Sequence, residues 1–369
     1  MINILINGIQ IGNKSGTGRY TEELIKALLN VPENFLLHLC ATSKLDITSP
    51  KIKHISLPRD KIIARLLLPY YIKSYISKNK IDIIHHPAFY GPIYPEVPTI
   101  VTIHDLAFLE NPKWFPIHMS TYYKVTIPKS ILNADMIITD SQYIASQIKK
   151  YFNIPDTKIK TIYLGVSDSF KPVSTHEISK IREKYKLPSR YILYLGTLEP
   201  RKNIPNMIRG WEKSFPAVRI PIVLIGRKGW KTSEIDKVIN KSRYREHIHL
   251  LGYVEDEDIL YIMGGAELFL YLSLYEGFGL PPLEAMKCGI PVIVSNTGSL
   301  KEIYTNYAIL VDPNNVDNIS ESIIRVIEDE SQKRTLIANG IIYANSFTWG
   351  KTAQETLNVY KQCILRRRR

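Results

Sequence analysis

Cysteine is scarce: Cys40, Cys288 and Cys363 are the only three in 369 residues. An odd number, widely spaced and without a C-x-x-C pair, argues against a disulfide scaffold and a cysteine-built zinc site. They read as buried thiols in a reducing cytoplasm. Long apolar runs are also missing. Leu66–Ile72 and Leu268–Leu274 fall short of the roughly 20 residues a membrane-spanning helix needs. The opening Met1–Gly8 has neither the basic start nor the small-residue cleavage site of a signal peptide, and reads as a first strand. No repeat of about 20–50 residues recurs. Acidic residues are in deficit, 35 against 48 Lys and Arg, for a formal charge of +13. A surface that basic implies an anionic partner, whether nucleic acid, anionic lipid or a phosphorylated small molecule, although a generally basic proteome would produce it too. The 23 tyrosines are scattered and no nucleic-acid module is visible, so nucleic acid is not expected as a partner.

What is present is a β/α alternation. Short apolar runs at Ile2–Ile6, Phe35–Cys40, Lys53–Leu57, Ile81–His85, Thr99–His104, Met136–Thr139 and Lys160–Leu164 read as strands covered on both faces. A second series follows at Tyr191–Leu195, Ile222–Ile225, Ile248–Leu251, Leu268–Leu272, Pro291–Val294 and Ile309–Val311. Amphipathic stretches lie between, among them Arg19–Leu29, Asn203–Phe215, Asp256–Gly264 and Val316–Glu328. The pattern predicts an α/β chain with doubly wound parallel sheets. Expected boundaries are a first domain over 1–170, a linker over 171–188 around Pro172 and Pro188, a second domain over 189–348, and a C-terminal helix with a basic tail over 349–369, packing back on the first domain.

Three segments suggest phosphate chemistry. Gly12-Asn13-Lys14-Ser15-Gly16-Thr17-Gly18 follows the first strand and precedes a helix, whose N-terminal amides favour an anion. It is neither a Walker loop nor G-x-G-x-x-G, and an ordinary βα turn explains it equally well. In Leu195-Gly196-Thr197-Leu198-Glu199-Pro200-Arg201-Lys202-Asn203, a buried strand ends in two cations at the start of a helix. There they oppose the helix dipole at a cost of roughly 0.3–1 kcal/mol each, unless an anion sits between. Arg grips phosphate bidentately and Lys adds a compact charge; the plainer reading is a solvated surface pair. Third is Tyr275-Glu276-Gly277-Phe278-Gly279-Leu280-Pro281-Pro282-Leu283-Glu284. Pro281 or Pro282 suits a first helical turn, and Glu284 is expected within it. Backbone amides of Phe278–Leu280 would face a pyrophosphate, Glu284 would hold the vicinal hydroxyls of a ribose, and Glu276 would hold a sugar. Dipole compensation explains one glutamate, but not the Gly-Phe-Gly-Leu-Pro-Pro insert between two.

This last segment resembles the E-x7-E motif of glycosyltransferase family 4, retaining enzymes of the GT-B fold. Leu195–Asn203 resembles that family's Gly-Thr-Leu-x-Pro-Arg-Lys-Asn loop. Further likenesses are Gly226-Arg227-Lys228-Gly229-Trp230, Leu251-Gly252-Tyr253-Val254, Pro291–Asn296, Phe347-Thr348-Trp349, Gly16–Tyr20, His104-Asp105-Leu106 and Asp140-Ser141. Leu164-Gly165-Val166-Ser167 departs from the family's Asn-Gly-Val-Asp. The resemblance spans nearly the whole chain, is strongest over Tyr191–Val311, and looks closest to bacterial mannosyl- and rhamnosyltransferases.

The resemblance implies two Rossmann-like domains facing across a cleft. It implies transfer of a hexosyl unit, mannosyl from GDP-mannose as first choice, to a saccharide or lipid-linked glycan with retention. Rhamnosyl, glucosyl or N-acetylglucosaminyl transfer, or sugar-nucleotide epimerisation, are the alternatives. Arg201 and Lys202 would bind the donor diphosphate. Gly196, Thr197, Gly226, Gly277, Phe278, Gly279 and Leu280 would line its site, with Glu276 on the sugar, Glu284 on the ribose and Val254 beside the base. Gly16, Thr17 and Gly18 would close over the sugar phosphate. His104, taken alone more often a structural histidine, would stand near the anomeric carbon.

Asp256-Glu257-Asp258 is a formal D-x-D, but N-capping and dipole compensation explain it, so no metal or other cofactor is expected. Within Lys51–Lys80, Arg59–Leu68 mixes cations with apolar residues. The favoured reading is a surface helix packing its apolar face on the sheet; the other is a stretch lying on an anionic membrane. The tail Arg366–Arg369 is expected to fray and to add to that attraction. The expected location is cytoplasmic, with a peripheral place on the membrane's cytoplasmic face if the second reading holds.

Overall fold

The computed structural model describes residues 1–369 except 14, 44, 46, 90, 92, 93, 95, 368 and 369. Lys14 of the first glycine loop and the last two arginines of the tail lie outside the described residues. Two compact units form: Met1–Leu109, Met119–Gly165 and Thr348–Arg369 make one, and Glu110–His118 with Val166–Phe347 the other.

The first unit is built on seven parallel strands. They are β1 (Ile2–Asn7), β2 (Phe35–Ala41), β3 (Ile52–Ser56), β4 (Ile83–His86), β5 (Thr99–Ile103), β6 (Met136–Thr139) and β7 (Ile159–Thr161), in the order β3-β2-β1-β4-β5-β6-β7. β2, β4, β5 and β6 are buried at every residue, so their apolar runs are continuous instead of alternating. The last helix, Trp349–Arg367, belongs to this unit. Gly165 permits its approach, since a Cβ there would lie 2.2 Å from the Trp349 nitrogen. Thr352 Oγ1 donates to the Tyr163 carbonyl at 2.8 Å. The expected fraying does not begin at Arg366. Its Nη1 donates to the Thr157 carbonyl at 2.5 Å, and Arg367 pairs with Asp135 at 3.0 Å.

The second unit has six parallel strands: β8 (Ile192–Leu195), β9 (Ile222–Ile225), β10 (Ile248–Gly252), β11 (Leu268–Tyr271), β12 (Val292–Ser295) and β13 (Ile309–Val311), in the order β10-β9-β8-β11-β12-β13. In each sheet the order reverses at the first strand: β1 lies between β2 and β4, and β8 between β9 and β11. At such a switch the connecting helices leave toward opposite faces, opening a crevice beyond the strands' carboxyl ends.

Two stretches differ from expectation. Residues 171–188, expected as the linker, lie in the second unit. They contain the helix Thr175–Tyr185, opened by a full capping box of Ser174 and Glu177. That helix is pinned within the second unit by Lys184 and Tyr185, each 2.6 Å from Asp258. The flanking prolines hid the Ser-x-x-Glu start signal. The segment Glu110–His118, early in sequence, packs in the second unit, where Trp230 Nε1 donates to the Trp114 carbonyl at 2.6 Å.

Candidate active site

β8 and β11 are adjacent, and the loops leaving their carboxyl ends meet. The β8 loop turns through a short 3-10 helix, Pro200–Lys202, and Asn203 (φ 56°) redirects the chain into the helix Ile204–Val218. Asn tolerates the left-handed region better than most residues. This turn aims both cations at the β11 loop. Arg201 Nη1 donates to the Tyr275 carbonyl at 3.0 Å and to Glu276 Oε2 at 2.8 Å, while its other guanidinium nitrogen holds Glu199 at 2.8 Å. Lys202 Nζ lies 2.5 Å from Glu276 Oε1 and 2.9 Å from the Tyr271 hydroxyl. The sheets of backbone close around them, with Leu274 N donating to the Arg201 carbonyl at 2.9 Å. The cations are therefore not a solvated surface pair. Lys202 and Glu276 are buried, and so is Glu199.

The Glu276–Glu284 loop is fixed equally firmly. Ser299 Oγ donates to the Glu276 carbonyl at 2.7 Å, and Tyr304 donates to the Gly279 carbonyl. Gly279 adopts φ +91°, where a Cβ would come within 2.6 Å of Leu300. The Phe278 ring packs against Phe347 at 6.1 Å, just before the helix Leu280–Lys287. Pro281 and Pro282 fall at the start of that helix, where missing N–H groups cost nothing. Glu284 is fully buried but stands in the second turn, not the first: the helix begins only at Leu280, so the first turn carries no acid.

Glycines end the neighbouring strands. Gly196 follows β8, Gly226 follows β9 and Gly252 ends β10, joined by Gly196 N to the Ile225 carbonyl at 2.9 Å and Gly226 N to the Gly252 carbonyl at 2.8 Å. A Cβ on Gly226 (φ +144°) would lie 1.9 Å from the Gly196 carbonyl oxygen, so only glycine fits. Thr197 continues the β8 loop, its carbonyl accepting from the Tyr194 hydroxyl at 3.2 Å. Val254 is buried in the loop after β10. The formal D-x-D opens the helix Asp256–Gly264, but the capping position is Glu255, and Asp258 is occupied by Lys184 and Tyr185.

Burial pushes the Glu276 carboxyl up, but Arg201 and Lys202 outweigh it and hold the group at about 2. Burial pulls Lys202 down, partly offset by Glu276. The Glu276 carboxylate lies 2.5 Å from Nζ. Arg201, Lys202, Glu199 and Glu276 thus form a tight cluster of two basic and two acidic side chains, buried except for part of Arg201. It offers a diphosphate two cations, beside amides at the start of a helix.

In the first unit, the helix Gly16–Leu29 begins at Gly16, so Gly16, Thr17 and Gly18 form its first turn instead of the preceding loop. Gly18 is required by close approach: a Cβ would lie 2.1 Å from the Asn13 carbonyl oxygen. His104 follows β5, buried, with Nδ1 2.6 Å from Asp140 Oδ2 and Nε2 2.7 Å from the Pro87 carbonyl. Both partners are acceptors, so both ring nitrogens donate and the ring is an imidazolium. Burial works against that charge, yet Asp140, the Pro87 carbonyl and Asp105 raise the ring's pKa above its ordinary value. A raised histidine contributes stability that is complete below its ordinary pKa near 6.5 and is lost as pH rises through the higher folded value. The His104 ring should therefore titrate above 6.5 by nitrogen-15 NMR; titration below it would refute the ion pair. A general-base role for this ring at neutral pH does not fit.

Arg201, Lys202 and Glu276, expected in one site, lie in contact, and three supports were not foreseen from sequence: Glu199, Tyr271 and Ser299. Glu199 stands two residues before Arg201, a signal that was available. Tyr271 and Ser299 are visible only once β11 and the helix Gly298–Tyr304 are placed.

A charged pair at the switch point of a doubly wound sheet narrows the choice of family, and comparison with known proteins decides it. Residues 14–170 match the family model described as Glycosyltransferase Family 4, and 177–342 the model described as Glycosyl transferases group 1. The O-antigen chain mannosyltransferase B of Escherichia coli is 33% identical over 366 residues, covering 94% of this chain and 96% of that protein. The chain belongs to the group 1, family 4 glycosyltransferases. This enzyme is also 30% identical over 240 residues to the serotype-specific mannosyltransferase WbdA of Escherichia coli, covering 63% of this chain and 29% of that one. Sucrose-phosphate synthase of Thermosynechococcus elongatus shares the fold at 19% identity and a TM-score of 0.78, covering 98% of this chain and 99% of the other. HepE of Anabaena, solved with UDP and glucose, shares it at 17% identity and 0.76, covering 98% and 100%. The glycosyltransferase thus has the GT-B fold class and is a hexosyltransferase.

Proposed function

We propose that this glycosyltransferase moves a mannosyl unit from GDP-mannose to a hydroxyl of a glycan or lipid-linked glycan, with retention at the anomeric carbon. The observation that carries the donor side is the Arg201–Lys202–Glu276 cluster at the β8/β11 switch. The sugar is supported by the mannosyltransferase relatives. In this reading the diphosphate lies against Arg201, Lys202 and the amides of Phe278–Leu280. Glu284 accepts from the ribose hydroxyls and Val254 flanks the base. Gly196, Thr197, Gly226 and Gly277 give the backbone its close approach. Glu276 uses two of its roughly four lone-pair sites on the cations and turns another to the sugar.

The bond from the anomeric carbon to the diphosphate oxygen breaks while the acceptor oxygen bonds to the same face. The acceptor proton passes to the departing phosphate, and its charge is met by Arg201 and Lys202. Those two side chains supply the positive charge a divalent metal would otherwise bring, so turnover should be indifferent to a chelator.

A thermal-shift screen of UDP-, GDP-, ADP- and dTDP-sugars tests the donor. GDP-mannose should raise Tm most, and nucleoside diphosphate should appear only when acceptor is added. A screen in which no nucleotide sugar raises Tm would sink the reading.

A further inference from the structure

The helix Lys61–Lys78 of the first unit is apolar on both sides. One side packs inward: Ala64, Leu68 and Ile72, with Tyr75 and Ile76, join the core formed by Leu5, Cys40, Leu57, Ile84 and Tyr94. That is the surface-helix packing expected from sequence. The opposite side is equally apolar and faces solvent. Ile62 is 70% exposed, Leu66 68% and Tyr70 73%, flanked by exposed Ile63, Leu67 and Tyr71. A helix apolar all round is ordinarily covered all round. This one spans about 27 Å at about 1.5 Å per residue, so the uncovered ridge is longer than a stray side chain or two.

Charge indicates what covers it. Over residues 51–80 there are eight cations (Lys51, Lys53, Arg59, Lys61, Arg65, Lys73, Lys78 and Lys80) against one acid, Asp60. Asp60 is itself consumed as the helix cap, accepting from Ile62 N and Ile63 N at 2.9 Å. Arg59, Arg65, Lys73, Lys78 and Lys80 make no ion pair among the described residues. Two copies meeting through this face would bring unpaired cations of like sign together, Arg65 and Lys73 among them, which disfavours self-association. An apolar ridge with Tyr at its crest and cations along its flanks suits the headgroup–acyl boundary of an anionic bilayer. No helix among the described residues is long and apolar enough to cross one.

We propose that the Ile62–Tyr71 face is a peripheral membrane-docking surface that inserts Ile62, Leu66 and Tyr70 into an anionic leaflet. The claim concerns lipid, not sugar transfer, and rests on the proposed function only in that a lipid-linked acceptor would lie in the same plane.

The test is co-sedimentation of the full chain with vesicles of phosphatidylglycerol and phosphatidylcholine, and with phosphatidylcholine alone. Binding should require phosphatidylglycerol and weaken with salt. It should fall at least about tenfold in Leu66→Ser/Tyr70→Ser and in Arg65→Glu/Lys73→Glu, all exposed positions whose Tm should not move. Turnover of a water-soluble acceptor should be unchanged in both variants, so a failed vesicle result leaves the donor reading standing. No binding to anionic vesicles, undiminished binding in both variants, or equal binding to neutral vesicles would overturn the proposal. So would conversion of a dimer to a monomer by Leu66→Ser/Tyr70→Ser, which would make the face a contact between copies.

Discussion

Replacing Lys202 by Met will lower kcat by about 10²–10³-fold while leaving the fold intact. The side chain is buried and its ammonium is one of two fixed cations at the β8/β11 switch, so its value to a departing diphosphate is not diluted by water. Glu276 is not orphaned by the change, because Arg201 Nη1 remains 2.8 Å away. Met fills a similar volume and leaves the Tyr271 hydroxyl nearby. Steady-state kinetics with a saturating donor, set beside a melting curve, separates the two effects. A kcat within threefold of the parent would remove Lys202 from the reaction.

Glu276→Gln should behave in the opposite way, acting first on stability. Removing the one anion that both cations share leaves the buried Lys202 with only neutral partners, the Tyr271 hydroxyl and the new amide oxygen, while Arg201 keeps Glu199. Breaking a buried pair from one side costs about 3–5 kcal/mol. For a unit of this size that lowers Tm by roughly 10 °C. A nucleoside diphosphate supplies replacement charge, so the variant should recover more Tm on adding it than the parent does. The pH dependence follows from the same group. A carboxylate held at about 2 contributes stability that is complete above its ordinary value of 4.5 and is lost as pH falls from there to about 2. The parent should show this acid limb and Glu276→Gln should not. An unchanged Tm together with an unchanged acid limb would place Glu276 outside the cluster.

Much of this architecture was readable from residue order. Continuous apolar runs placed nearly every strand because both faces of each sheet are covered, and covered strands need no alternation. The loops after β8 and β11 were legible because they rely on glycine, proline and adjacent charges, whose backbone consequences are local. What escaped was non-local. The capping box at Ser174 lay between prolines that suggested a break. Glu284 appeared one turn too early because Pro281 and Pro282 left the first helical residue ambiguous. The dual engagement of Glu276 depends on the register of β11 against β8, which no local window contains. The same holds for His104: a histidine at a strand's end becomes an imidazolium only because β6 delivers Asp140 and β4 delivers the Pro87 carbonyl.

The shared carboxylate has a consequence for which anions gain entry. A resident, tethered competitor occupies the cations at an effective concentration in the millimolar range or above. Orthophosphate or sulfate, arriving with one anionic centre and nothing for the neighbouring backbone, must evict it unaided. A ligand with two linked phosphates and a sugar on either side gains further contacts as it displaces or joins Glu276. If the proposed donor site is right, the enzyme's own side chain would keep ordinary salts out and leave the crevice to the larger molecule.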